Sequence, residues 1–258
     1  MNFKHAKDIF EKYLGQYNRN DDKIKLKIIH TYGVISAMDY LTKDLKLSAE
    51  DAEIARHIAL LHDIGRFEQL RLYNSFDDSI MPHAQCSLDI LFGSRMIESF
   101  IPERTYDSII YTAIKNHGLY RMEEGLEGQV LLHSRLIRDA DKLDNFRVKD
   151  VSGMVTMVDV TEEELGREAI TDSIYQNFLN HIPILNSERR THMDMWVSYL
   201  GYIYDFNFPS GLKYLMEHNY IARLVNRVPY SNPETAWRME RILAAATDYM
   251  EAAVLPEK

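Results

Sequence analysis

Apolar side chains recur along this chain at spacings of three and four residues and almost nowhere in strict alternation, so the sequence predicts an all-α fold. With 258 residues and 46% hydrophobic content the chain can bury a full core. It holds eleven glycines and seven prolines and shows no linker-like stretch and no internal repeat, so one all-helical unit over 1–258 is expected. The first amphipathic segment runs from about Asn2 to Tyr17. Asn20-Asp21-Asp22 offers an N-cap to a second, reaching about Leu45. Ser48 with Asp51 starts a third, which carries Ile54, Ile58 and Leu61 and stops near Ile64-Gly65.

Further along, Tyr73 to Pro82 reads as a loop, and Pro82 suits the first turn of a helix from His83 to about Phe92. Pro102 is expected to open the next helix, which ends at Asn116-His117-Gly118. A loop at Glu123 to Gly128 then precedes a long helix carrying Leu136, Ile137, Ala140 and Leu143 towards about Lys149. Beyond it, Thr161 to Glu164 matches a capping box, and breaks fall near Pro183, Pro209 and Pro233. Trp196, Tyr199, Tyr202, Ile203 and Phe206 form an aromatic stripe at helical spacing, assigned to packing within the chain or across a homodimer.

Thirty basic against thirty-nine acidic side chains give a formal charge of −9, and no basic run opposes it; stable nucleic-acid binding is not expected. A small anionic substrate can still be held by a bound cation with one or two Arg or Lys. Cys86 is the single cysteine, which fits a reducing compartment, and the first residues lack the apolar run of a secretory signal. Nothing approaches the ~20 apolar residues of a membrane span. A cytoplasmic location is the expectation.

Chemistry concentrates in six groups: His30, His62, Asp63, His83, His117 and Asp141. His62 and Asp63 are adjacent at the end of an apolar helix. Neighbouring side chains on a helix diverge by about 100°, so both reach one ion only where the helix ends or turns, and Gly65 permits such a corner. Several of these groups also have a plainer explanation: a surface pair for His62-Asp63, a hydrogen-bonded core residue for His30, a helix cap for His117. Asp141, flanked by Ile137, Ala140 and Leu143, needs a partner, because an unpaired buried carboxylate costs several kcal/mol. Arg138, Lys142 or a metal would serve.

The ordered set His30, then His62-Asp63, then Asp141 resembles the H...HD...D signature of the HD phosphohydrolase superfamily. So do the surroundings His30-Thr31-Tyr32-Gly33-Val34, His62-Asp63-Ile64-Gly65-Arg66 and Ala140-Asp141-Lys142-Leu143. The resemblance implies an HD-domain helical bundle over 22–150, with a helical extension over 151–258 that shapes a substrate pocket or a dimer interface. It implies His30, His62, Asp63 and Asp141 as core metal ligands. His83 and His117 fall where two-metal members carry two further histidines, which adds them to the expected ligand set.

Imidazoles and carboxylates without thiolates suit Mn, Fe, Ni, Co or Zn, with Mg also compatible, at one or two sites. Two such cations about 3.5 to 4 Å apart would clamp an in-line attack on phosphorus, with Asp63 bridging them. Arg66 is expected to act in catalysis and, with Lys142, to bind a substrate phosphate. Glu68 is a weaker candidate for orienting Arg66, and His133 sits either behind the ligands or in the core. The activity implied is metal-dependent hydrolysis of a phosphate ester or anhydride in a nucleotide or similar small phosphorylated metabolite. Two alternatives stay open at this stage: a di-iron oxygenase on the same fold, or a metal-containing nucleotide-binding module without turnover.

Overall fold

A computed structural model describes residues 1–254. Helix dominates, and no strand occurs among the described residues. The contacts divide the chain into two compact units, Met1–Asp144 and the part from Asn145 onward.

The first unit contains α1 (Phe3–Leu14), α2 (Asp22–Asp44), α3 (Ala49–Leu61), α4 (Ile64–Tyr73), α5 (His83–Leu88), α6 (Ile97–Phe100), α7 (Asp107–His117) and most of α8 (Gly128–Val151). Side-chain caps fix two of the starts the sequence marks. Asp21 accepts from the Lys23 and Ile24 amides, and Ser48 accepts from Asp51. The core is aromatic on one side, where Phe10, Tyr13 and Tyr17 of the N-terminal segment pack on Phe67 of α4.

Three departures from the sequence expectations matter for the site. The helix of Ile54 and Leu61 does not end at Gly65. It stops at Leu61 and restarts as α4 after a break at Asp63, whose backbone (φ −108°, ψ 18°) makes the corner. Gly65 serves instead as a contact point: a Cβ there would lie 2.5 Å from the Ser87 nitrogen and 2.6 Å from the His83 carbonyl oxygen, so its absence lets α5 lie against α4. Pro102 does not open α7, which begins at Asp107, and Leu88 hands on to a single wide turn, Asp89–Gly93, that shortens α5.

The second unit holds α9 (Met154–Val158), α10 (Glu162–Leu165), α11 (Asp172–Leu179), α12 (His192–Leu200), α13 (Pro209–Glu217), α14 (Tyr220–Arg227) and α15 (Pro233–Val254). The Thr161–Glu164 capping box forms as its spacing predicts, and Pro209 and Pro233 each stand at the first position of a helix. The aromatic stripe divides: Trp196 and Ile203 are buried, while Tyr199 is partly exposed and takes the Lys149 ammonium over its ring at 3.8 Å. No helix among the described residues is long and apolar enough to cross a membrane.

Candidate metal centre

Four helices and one interhelical corner bring the six metal-capable side chains together. His30 comes from the middle of α2, His62 and Asp63 from the corner between α3 and α4, His83 from the first position of α5, His117 from the last position of α7, and Asp141 from α8. His30, His62 and Asp141 offer ligand atoms within one cluster, and His62, Asp63 and His117 within a second; in each, the atoms lie within 4.8 Å of one another. His83 joins the second through Nε2, which is 3.0 Å from His117 Nε2 and 3.5 Å from Asp63 Oδ1. Asp63 spans both groups: Oδ1 is 3.5 Å from His117 Nε2, and Oδ2 is 3.6 Å from His62 Nε2 and 3.9 Å from His30 Nε2.

The outward nitrogen of every ring is fixed. Nδ1 of His30 lies 2.7 Å from Asp144 Oδ2, that of His62 2.9 Å from the Ala59 carbonyl, that of His83 2.6 Å from Asp78 Oδ1 and that of His117 2.6 Å from the Ile114 carbonyl. None of these four acceptors carries a proton to give when the carboxylates are ionised. Each Nδ1–H therefore donates, which aims each Nε2 at the centre, as in metal-ligating histidines generally.

That arrangement leaves the interior short of positive charge. His30 Nε2, His62 Nε2 and Asp63 Oδ1 are buried and make no hydrogen bond, although His30 Nε2 comes within 2.9 Å of Asp141 Oδ1. The Nε2 atoms of His83 and His117, 3.0 Å apart, present two lone pairs to each other. Such a set is costly alone and satisfied by cations, so the residues fit one or two divalent metals.

The electrostatics agree. Burial lowers the pKa of both His62 and His83 to about 4, the nearby Arg66 charge adding to the effect at His83, so both rings are neutral at pH 7. Burial opposes charge on Asp63, but Lys27 and the surrounding imidazoles outweigh it and hold the carboxyl well below its usual range. Asp141 is likewise held low, against burial, chiefly by His30. At His30, burial and Lys27 work against protonation and the Asp141 and Asp144 carboxylates prevail, moving it upward.

The residues expected to meet substrate lie differently. Arg66 turns its fork onto Asp78 (2.7 and 3.1 Å), Gln69 Oε1 (2.7 Å) and the Phe76 carbonyl (3.0 Å), leaving only Nε, 3.8 Å from Asp63 Oδ1, towards the centre. It thereby fixes the carboxylate that orients His83. Glu68 does not orient Arg66; it pairs with Arg71 and accepts from Tyr17. Lys142 is buried, its ammonium 3.4 Å from the Arg138 carbonyl. His133 lies away from the ligands, buried with Nε2 3.2 Å from Asp51.

Three contributors were not singled out from the sequence, and a fourth, Arg138, was weighed there only as a partner for Asp141. Lys27, one turn before His30, places its ammonium 2.6 Å from Asp63 Oδ2. Asp144, one turn after Asp141, and Asp78, in the loop after α4, orient His30 and His83. Arg138 donates to the carbonyls of Asn116, Leu119 and Tyr120 and so closes the end of α7 that carries His117. The three-residue spacings of Lys27 and Asp144 from ligands are the one signal the sequence carries for them.

A helical scaffold that converges imidazoles and carboxylates in this order offers a donor set that could hold metal ions. Residues 28–145 match the family model of the HD domain, a stretch that contains all six groups. Over that segment the chain is similar to the HD domain of metal-dependent hydrolases. No curated protein and no solved structure matches the chain.

Proposed function

We propose that this protein hydrolyses a phosphate ester or anhydride in a small phosphorylated metabolite, with nucleotides the leading class, using two divalent transition metals. One observation carries the reading: four imidazole Nε2 atoms, each ring locked through its own Nδ1, face the two oxygens of a single carboxylate, Asp63. His30, His62 and Asp141 would hold one cation and His83 and His117 the other, with Asp63 shared. When bound, such a pair lowers the pKa of a water nucleophile and neutralises phosphate oxygens.

The chain's own side chains supply order. Asp144 and Asp78 keep His30 and His83 in the tautomer that ligates, and Arg66 and Arg138 hold the segments from which His83 and His117 project. Lys142 remains the candidate for pairing with a substrate phosphate, while Arg66 moves in this reading from binding substrate to positioning. The neutral state of His62 and His83 at pH 7 favours cation binding over protonation.

The test combines elemental analysis of the purified protein with an anaerobic phosphate-release screen over mono-, di-, tri-, cyclic and dinucleotides in Mn, Co, Ni, Mg and Fe. Near two transition metals per chain, with release abolished in Asp63→Ala, is the expected result. Oxygen uptake with an organic substrate and no phosphate release would overturn it in favour of a di-iron oxygenase. Tight nucleotide binding without turnover in any metal would overturn it in favour of a binding module.

A further inference from the structure

Lys27 stands at the metal centre as neither a ligand nor a support for a ligand ring. It stands on α2 one turn before His30, its side chain 15% exposed, with Nζ 2.6 Å from Asp63 Oδ2. That oxygen also faces Nε2 of His30 and of His62, at 3.9 and 3.6 Å. Asp63 is buried, and a buried carboxylate needs a counter-charge. The Lys27 ammonium, 2.6 Å away, supplies one.

A divalent cation among His30, His62 and Asp141 would need the same oxygen, and the two positive charges would repel strongly at such short range in a buried site. The lysine is the mobile partner of the two, because its ammonium rides on a flexible four-carbon stem. The stem is partly exposed, and the face of Phe76 lies 5.7 Å from Nζ, a resting place for a cation that has left the carboxylate.

We infer that Lys27 is an internal counter-ion that occupies Asp63 Oδ2 in the metal-free protein and is displaced from it when a divalent cation binds. This rests on the two-metal reading of the site. Lys27 and the metal are then mutually exclusive partners of one oxygen, so each lowers the apparent affinity of the other. The exchange keeps Asp63 neutralised in both states and sets a threshold concentration for metal loading.

The experiment uses full-length, chelator-treated protein and Co²⁺, followed by calorimetry and by the cobalt absorption bands, neither of which needs turnover. Lys27→Met is expected to bind its first Co²⁺ at least roughly 5-fold more tightly than wild type, the lower end of ordinary coupling. Lys27→Arg, which keeps the charge, is expected to bind no more tightly than wild type. In the wild-type chain itself, acetylation of Lys27 read by mass spectrometry should be at least roughly 5-fold faster with Co²⁺ saturating than without. That arm stands even where the Met variant does not fold. Equal or weaker Co²⁺ binding by a folded Lys27→Met, or acetylation indifferent to Co²⁺, would overturn the counter-ion inference alone. Wild-type protein that binds no Co²⁺ would overturn the two-metal reading with it.

Discussion

At the scale of single residues, the centre depends on side chains that touch ligands as much as on the ligands. Gly118 shows this sharply. Its backbone is right-handed (φ −89°), so an alanine is conformationally acceptable, and it caps α7 without the left-handed turn that glycine usually supplies. The constraint is contact: a Cβ there would lie 3.1 Å from His83 Cε1 and 3.3 Å from Nε2. Gly118→Ala should therefore push the His83 ring off its position. We expect metal affinity to fall at least ~10-fold, the size of effect seen when the supports of a metal ligand are lost. Stability of the metal-free protein should change by no more than ~1 kcal/mol, the stiffer unfolded chain offsetting the cost of moving the ring. Calorimetric titration and denaturant unfolding separate the two, and unchanged metal affinity would refute the packing role. The residue scale is also where the sequence is most and least informative. The six metal-capable groups are legible because few side chains can do that chemistry and their order is distinctive. Asp78 is not, since nothing in Ser75-Phe76-Asp77-Asp78 tells which of two adjacent aspartates will meet an imidazole five residues on.

At the scale of elements, the helices are written locally and the junctions are not. Asp21, Ser48 and Thr161 announce their helices because a cap is a contact within three residues. The corner at Asp63 depends on α5 and α2 closing over it, and the glycine two residues on invites the wrong explanation. The segment 74–82 depends on longer contacts still. Gln69, fully buried on α4, donates from Nε2 to the carbonyls of Asp77 and Met81 at 3.2 and 2.6 Å and to Asp78 Oδ1 at 3.3 Å, and its Oε1 accepts from Arg66. One amide thus ties the loop to the helix and, through Asp78, to His83. Gln69→Leu keeps the approximate volume and strands those partners, at a cost of ~1–3 kcal/mol for the buried groups left unpaired. Limited proteolysis of the metal-free variant should then cut within 74–82 sooner than in wild type, with fragments identified by mass spectrometry. Equal cutting rates would mean that the loop is held by something other than Gln69.

At the scale of the whole molecule, the buried histidines make stability a function of pH, and the direction follows from counting protons. Burial lowers the pKa of His57, His62, His83 and His133 in the folded, metal-free chain, to about 4 for His62 and His83. Unfolded, each would titrate near ~6.5. As the pH falls from about 6.5 towards 4, the unfolded chain takes up protons that the folded chain refuses, so folding is progressively lost. His30, raised by its carboxylate neighbours, works the other way: its contribution is full below about 6.5 and fades as pH rises through its higher folded value. Four groups against one give a chain that is less stable at pH 5.5 than at pH 7.5. Two of the four stand outside the metal centre: His57, whose Nδ1 lies 2.7 Å from the Glu53 carbonyl, and His133 beside Asp51. Exchanging both for glutamine removes their share without touching a ligand. Urea unfolding of chelated wild type and His57→Gln/His133→Gln at the two pH values should show a smaller drop in the double variant. An undiminished drop would assign the whole pH dependence to the metal centre, and saturating metal, which needs those ligands neutral, would then steepen it further.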